Sequence, residues 1–423
     1  MRTCRRSFAL LLLLAATPAA AFAQVSLGGG VTVGGEVTAT FGARDEAAPA
    51  GTVNPEKPAY FNYTDYAHNA LRMFRVSLSG MWQPASQFAF LVEVRSENLD
   101  RVTPYAMYAR VRPWKKLPLD FQAGRIPSVF GAYVRRYGTS DNPLIGVPLV
   151  YQYLTSLRPD AIPASADGLL FYRGLGWQVG PPIYPVGDKT QKPGVPLMTA
   201  YQWDTGMQGH FGGRLVQGAV AITSGTLANP RVDDDNDGRQ WSGRVSFTPV
   251  VGLVLAASAS QGEFLTRQIT DTYNALLNQD NHYTQRGLGL DAEYSRGYWI
   301  VRGELIDSRW NLPKINNPPI DRPLHATGGF VEGTYRLSPR YYVAGRADRL
   351  TFTRILGKSQ PASAPGTWTP WDAPVNRVEL GGGVKLTRRL TGRGVLQYNW
   401  REGPVQFIAT KKFYSSAQLA FWF

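Results

Sequence analysis

The chain has 423 residues, with 45 Lys and Arg against 31 Asp and Glu, a formal net charge of +14, and a mean hydropathy of −0.22. That average is too polar for a bundle of membrane helices, and no apolar run of the roughly 18 residues needed to span follows the N-terminal segment. The single cysteine, Cys4, excludes a disulfide framework.

Arg2, Arg5 and Arg6 form a positive start, Phe8 to Ala16 is apolar, and Ala21-Phe22-Ala23 offers an A-x-A cleavage site before Gln24. Residues 1–23 are therefore expected to be a cleaved signal peptide and 24–423 the mature protein. Cleavage removes Cys4 and three arginines, lowering the net charge from +14 to +11.

Read with a period of two, the rest divides into about sixteen extended segments joined alternately by tight and long connections. Strands are expected near 26–42, 71–81, 87–97, 104–112, 118–126, 196–208, 210–224, 239–248, 253–264, 284–294, 298–308, 326–337, 341–354, 375–386, 390–401 and 412–423. Short turns at Pro249-Val250-Val251-Gly252, Ser295-Arg296-Gly297, Ser338-Pro339-Arg340 and Thr387-Arg388-Arg389 alternate with polar or Pro-rich stretches such as 309–324 and 355–373. Only helices and closed barrels satisfy their backbone in lipid. The rhythm thus predicts an all-β chain: a transmembrane antiparallel β-barrel of about 16 strands, with 18 as the alternative count and both termini at the short-turn end.

Alternation also assigns faces. Leu396, Tyr398 and Trp400 point to lipid while Arg393, Gln397, Asn399 and Arg401 point inward; Val378, Leu380, Val384 and Leu386 face out while Arg377 and Glu379 face in. The same parity places Arg75, Glu93, Arg95, Arg110, Arg112, Arg244, Arg302, Glu304, Glu332 and Arg336 inside. Trp82, Trp114, Tyr298, Trp299, Tyr341 and Tyr342 gather beside the short turns as an aromatic girdle.

The longest departure from hairpins is Pro127 to Pro196. Connections of this length are functional or disordered, and its aromatics and the apolar run Pro143 to Tyr153 argue for order. We expect it to fold toward the lumen, with Arg135, Arg136, Arg158, Tyr133, Tyr151 and Tyr153 as constriction candidates; a cap over the rim is the alternative. Arg110, Arg125, Arg244, Arg302, Arg377 and Arg393 are the wall candidates. The planar guanidinium pairs two oxygens of a carboxylate or phosphate, so an arginine-lined lumen predicts small anionic solutes as partners. Pairing with Glu304, Glu332, Asp348 and Glu379 is the competing use of any one arginine.

Asp233, Asp235 and Asp237, followed by Gly238, reproduce the start of a calcium loop, but the twelfth position is Arg244 in place of the bidentate glutamate. An EF-hand is excluded, leaving a weaker calcium site or a solvated acidic turn. The four histidines are scattered, and neither G-x-S-x-G nor H-E-x-x-H occurs, so no enzyme activity and no resident cofactor are expected. Nucleic acid is an improbable partner for an exported chain with dispersed basic residues.

With these residues assembled, the chain resembles bacterial outer-membrane porins and, among them, the phosphate-selective porin O/P-like group. The likeness is carried by the signal, the strand and turn rhythm, Gly124-Arg125-Ile126-Pro127-Ser128-Val129-Phe130-Gly131 leading into an arginine-bearing loop, and the terminal Ala420-Phe421-Trp422-Phe423. It implies a homotrimer of barrels in the outer membrane of a Gram-negative bacterium, embedded in outer-membrane lipid and passing small hydrophilic solutes passively. Some relatives carry an N-terminal periplasmic coiled coil, whereas Ser26 to Phe41 reads here as strand. The remaining readings are a specific channel for sugars or aromatic acids, with Tyr133, Tyr151 and Tyr153 as a stacking track, and a closed structural or adhesive barrel.

Overall fold

The computed structural model describes residues 25–42, 74–97, 101–114, 117–136, 141–174, 176, 186–190, 192–200, 203–314, 319–320, 322–357, 366–401 and 413–423. The expected signal segment lies outside them. Sixteen strands form one antiparallel sheet that closes on itself. They are β1 Val31–Gly42, β2 Phe74–Ala85, β3 Phe88–Glu97, β4 Thr103–Val111, β5 Asp120–Ile126, β6 Asp204–Gly212, β7 Val216–Thr223 and β8 Gln240–Val250, then β9 Leu253–Glu263, β10 Thr284–Arg296, β11 Trp299–Trp310, β12 Leu324–Arg336, β13 Tyr341–Phe352, β14 Val375–Lys385, β15 Leu390–Arg401 and β16 Phe413–Trp422. A short strand, Val25–Gly28, pairs with the start of β1.

Closure runs from Glu36 opposite Trp422 to Gly42 opposite Ser416, and Phe423 continues it by exchanging two 3.0 Å backbone hydrogen bonds with Gly35. The Phe423 ring lies where a Cβ on residue 35 would stand, 2.6 Å from its nearest carbon, so a side chain there would have to displace the ring. A closed barrel leaves no strand edge unpaired, which is the physical reason that sixteen strands of modest length hold together.

The period-two pattern sorts the side chains as expected. Leu380, Leu396, Tyr398 and Trp400 are exposed on the outer face, while Arg377, Glu379, Gln397 and Asn399 are buried on the inner one. Trp82, Trp114, Tyr298, Trp299 and Tyr341 are exposed beside the short turns. All sixteen expected strands are present, but one hairpin is displaced. The segments expected at 196–208 and 210–224 are Asp204–Gly212 and Val216–Thr223, turning at Gly213-Arg214-Leu215. Gly206, Gly209, Gly212 and Gly213 give several equivalent turn signals in a short span. The turn follows Gly212, whose φ of +122° suits glycine, while Leu197, Met198 and Ala200 are buried in the preceding loop.

Candidate functional site

The connection between β5 and β6 does not stand away from the barrel. Its described residues 130–136 and 141–153 lie against the inner faces of β9 to β14, and their backbone is held by wall side chains. Gly131 N–H donates to Ser258 at 3.1 Å, Ala132 N–H to Glu304 at 3.1 Å, Gly146 N–H to Glu379 at 2.9 Å and Leu149 N–H to Asp348 at 3.0 Å. Arg377 donates in the other direction, to the carbonyl of Val147. A loop buried in a polar wall needs such partners, because each orphaned N–H costs about 1–3 kcal/mol.

Its apolar side chains sit over wall glycines. Phe130 covers Gly287 and Gly289, Leu144 approaches Gly381 and Val150 approaches Gly328; a Cβ on Gly289 would lie 2.9 Å from the Phe130 ring, and one on Gly328 would lie 2.6 Å from Val150. Inward-facing glycines in mid-strand are thus a signal, legible in principle, of where the loop docks.

Beyond Tyr153 the loop turns toward the long-loop end and is tied by Asp372. That carboxylate accepts from Tyr153 Oη at 3.1 Å, from the backbone N–H groups of Ser156, Gly174 and Ala373 at 2.6, 2.7 and 2.7 Å, and from Ser156 Oγ at 2.9 Å. Burial raises the Asp372 carboxyl above its ordinary range, while these donors oppose the rise. Burial, and then the neighbouring Asp372, push the Tyr153 phenol well up.

The arginines are joined to carboxylates in two groups. In the first, Arg244 forks onto Asp291 at 2.6 and 3.1 Å, Arg302 contacts Glu293 at 3.1 Å and Glu332 at 3.8 Å, and Arg136 from the loop pairs with the same Glu293. These residues, with Asp141, Asn142 and Glu304, line a polar cavity between loop and wall. In the second, Arg346 reaches Glu379 at 2.6 Å and both Glu332 and Asp348 at 3.3 Å, and Arg377 reaches Asp348 at 3.1 Å; all four charged side chains nearest the loop, Arg346, Asp348, Arg377 and Glu379, are buried. Sequence reading assigned no role to Arg346 or Asp372 and took Asp348 and Glu379 only as partners of wall arginines, because the loop amides that Asp348 and Glu379 hold lie 199 and 233 residues away in the chain.

Among the wall candidates, Arg110 lies inward near the short-turn end, sharing Asp120 with Arg112, and Arg393 lies inward opposite Gln418 and Gly383. Arg125 is not a wall residue. It stands in the row between Met107 and Thr205, on the face where Phe121 and Met207 are exposed. Its guanidinium donates to the carbonyls of Trp203 at 3.2 Å and Pro104 at 2.6 Å, capping the rim. Parity through Gly124, with φ +128°, does not carry it inward.

Two groups of constriction candidates need correction. Arg158 is buried, bonded to Asp160 at 2.8 Å and to the Thr190 carbonyl at 2.8 Å, so it braces the loop on itself. Tyr133, Tyr151 and Tyr153 are buried as well: Tyr133 packs on Tyr151 with ring centroids 5.1 Å apart and edge-on to Phe330 at 5.9 Å, and Tyr153 packs on Phe352 at 5.9 Å. They form the loop's core, and no stacking track is presented. Arg135 belongs to a single turn, Tyr133–Arg136, and its side chain lies outside the described residues.

In the acidic turn, read as either a weak calcium site or a solvated turn, the carboxylates face arginines. Asp235 pairs with Arg231, Asp237 with Arg267 and the neighbouring Asp234 with Arg239, so arginines occupy the oxygens an ion would need. Among the described residues no group of three His, Cys, Asp or Glu is placed to hold a metal, and Asp233, Asp235 and Asp237 do not converge.

Comparison with known proteins adds one finding. The fold is that of outer-membrane β-barrel proteins of known structure. OmpT of Vibrio cholerae, folded in vitro, superposes with a TM-score of 0.51 at 11% identity over 95% of this chain and 99% of that one. Its trimer form gives 0.51 at 9% identity, over 93% and 99%. OmpF of Salmonella typhi, solved with daunomycin, gives 0.51 at 8% identity over 95% and 100%. No family model and no curated protein matches the sequence. At such identities the likeness is one of architecture.

Proposed function

We propose that this chain is a passive channel of the outer membrane, admitting small hydrophilic solutes past the β5–β6 loop, with a weak preference for small anions. The observation that carries the reading is the mixed-charge cavity where Arg136, Arg244 and Arg302 face Asp141, Asp291, Glu293, Glu304 and Glu332 between loop and wall. Opposed charges order water and orient a passing dipole without holding one anion, because each of the three arginines already has a carboxylate partner. Membrane placement is supported by the apolar outer face and the aromatic residues beside the short turns.

Because the cavity arginines are matched by acids, the anion preference is assigned to the mouth at the short-turn end. There Arg112, Arg214, Arg296, Arg340, Arg388 and Arg389 flank the turns, with Asp120 as the nearby acid. Fixed charge at a pore mouth raises the local concentration of the opposite ion, an effect that salt screens within about 10 Å at 0.1 M. General anions are favoured over phosphate, since Arg110, Arg136, Arg244, Arg302, Arg346 and Arg377 are already engaged by carboxylates. The reading needs no cofactor, and a homotrimer is its proposed assembly, as in the trimer form of the Vibrio cholerae protein.

Single-channel current in a planar bilayer, with the reversal potential under a potassium chloride gradient, tests it. A small anion-selective potential that shrinks as salt rises is expected. Cation selectivity would reverse the assignment, and absence of conductance would leave a closed structural barrel.

A further inference from the structure

Three consecutive short turns carry positive charge that nothing around them balances. They are Ser295-Arg296-Gly297 between β10 and β11, Ser338-Pro339-Arg340 between β12 and β13, and Thr387-Arg388-Arg389 between β14 and β15. Arg336 N–H donates to the Tyr298 carbonyl at 2.9 Å and Lys385 N–H to the Arg340 carbonyl at 2.9 Å, so backbone bonds tie each turn to the next. Arg296, Arg336, Arg340, Lys385 and Arg388 are all exposed, and among the described residues none of the five has an acidic partner. No Asp or Glu occurs in 295–299, 335–341 or 384–390. The long-loop end differs, for there Arg231, Arg239 and Arg267 each meet an aspartate. With 31 acids in the chain, the unmatched row reflects where the acids stand and not how many there are.

Lipid around the barrel reaches only part of this row. Arg336 stands opposite Tyr342, whose hydroxyl donates to the Pro143 carbonyl of the β5–β6 loop at 3.0 Å, and Lys385 stands opposite the buried Thr391. Both follow the inward parity and belong to the mouth of the lumen. Arg340 and Arg388 sit in the turns themselves, past the exposed Tyr341 of the girdle. Consecutive short turns are two strands apart, about 12 Å along the rim at a strand spacing of about 4.8 Å and a tilt of about 40°. The row therefore runs for roughly 25 Å, the reach of about eight residues of extended chain at about 3.3 Å each.

We infer that this row docks an acidic, extended segment of a periplasmic protein, its carboxylates meeting Arg296, Arg340 and Arg388 in turn while Arg336 and Lys385 draw it toward the mouth. Charge complementarity selects the occupant: a second copy of this rim would set cations against cations, and a single small anion would meet one turn at a time without the gain of linked contacts. The guanidinium fork suits a carboxylate. The uncharged turn Pro249-Val250-Val251-Gly252 ends the row on one side and separates it from Arg214. The inference rests on the membrane placement proposed above, which puts the short turns in the periplasm.

Fluorescence anisotropy of a labelled peptide of about eight residues alternating Glu and Gly, titrated with the full chain in phosphatidylcholine nanodiscs that leave both rims open to solvent, tests it. The Glu peptide is expected to bind and its Gln counterpart not to, with affinity falling as salt rises from about 0.05 M to about 0.3 M. R340Q/R388Q and R336Q/K385Q are each expected to weaken binding about tenfold, at roughly threefold per cation, while R214Q leaves it unchanged. Equal binding of the Gln peptide, or by R340Q/R388Q, overturns the inference, and so does an equal loss in R214Q, which would mean diffuse attraction to the whole rim. If anionic phosphatidylglycerol in the nanodisc erases the difference between wild type and R340Q/R388Q, the row is a lipid site and the inference fails equally. Incorporation into the nanodisc reports separately on membrane placement and conductance on the channel, so a barrel that conducts without binding the peptide refutes the docking row alone.

Discussion

Replacing Asp348 by alanine isolates what holds the loop to the wall. Asp348 accepts from Leu149 N–H at 3.0 Å, Arg377 Nε at 3.1 Å and Arg346 Nε at 3.3 Å, all of them buried. Arg346 keeps Glu379 at 2.6 Å and Glu332 at 3.3 Å, whereas among the described contacts Arg377 keeps the Val147 carbonyl and no carboxylate. The loss therefore falls on Arg377 and on the Leu149 amide. Breaking a buried pair from one side costs about 3–5 kcal/mol, with the orphaned amide included in that total since the groups share one site.

D348A is expected to unfold at lower urea and to show larger, noisier single-channel currents as residues 146–153 leave the wall. D348A/R377L removes the stranded charge and is expected to regain more than half of the lost stability while the current stays noisy, because the Leu149 tether is still missing. If the double variant is less stable than the sum of the singles, or D348A conducts as quietly as wild type, then the charge network is not what holds the loop.

Three other outcomes are expected. Glu293→Gln leaves Arg136 and Arg302 without the carboxylate they share, so the reversal potential should move toward the anion limit, and movement toward cations would contradict the cavity's role. Burial tends to raise the Asp160 carboxyl, but hydrogen bonds from Arg158 and Lys192 outweigh it and leave the group below its ordinary range. Its stabilising contribution is therefore complete above about pH 4 and lost as pH falls through the depressed value, so hydrogen exchange across 155–195 should quicken only in that acid range, and Asp160→Asn should abolish the pH step. Deleting Phe423 removes two backbone hydrogen bonds to Gly35 and the ring that covers it, about 1–3 kcal/mol in hydrogen bonds alone, and should slow refolding and lower the urea midpoint; an unchanged midpoint would mean that Glu36–Gly42 and Ser416–Trp422 suffice for closure.

The strand count and the two faces were legible in the sequence because both follow from local alternation: Leu396, Tyr398 and Trp400 must point one way if Gln397 and Asn399 point the other. Turns were legible where a single Gly or Pro marked them, and became ambiguous where Gly206, Gly209, Gly212 and Gly213 competed. Arginine enrichment and a long ordered segment between β5 and β6 were legible too, but their use was not. Whether Arg158 lines a passage or braces Asp160, whether Tyr151 meets a solute or packs under Tyr133, and whether Arg136 stands alone or shares Glu293 with Arg302 are decided by how the loop folds on itself and docks on the wall, which strand alternation does not report. Local pattern fixes which face of the sheet a side chain occupies. The partner waiting on that face is set by barrel closure and loop docking, which only the tertiary structure brings together.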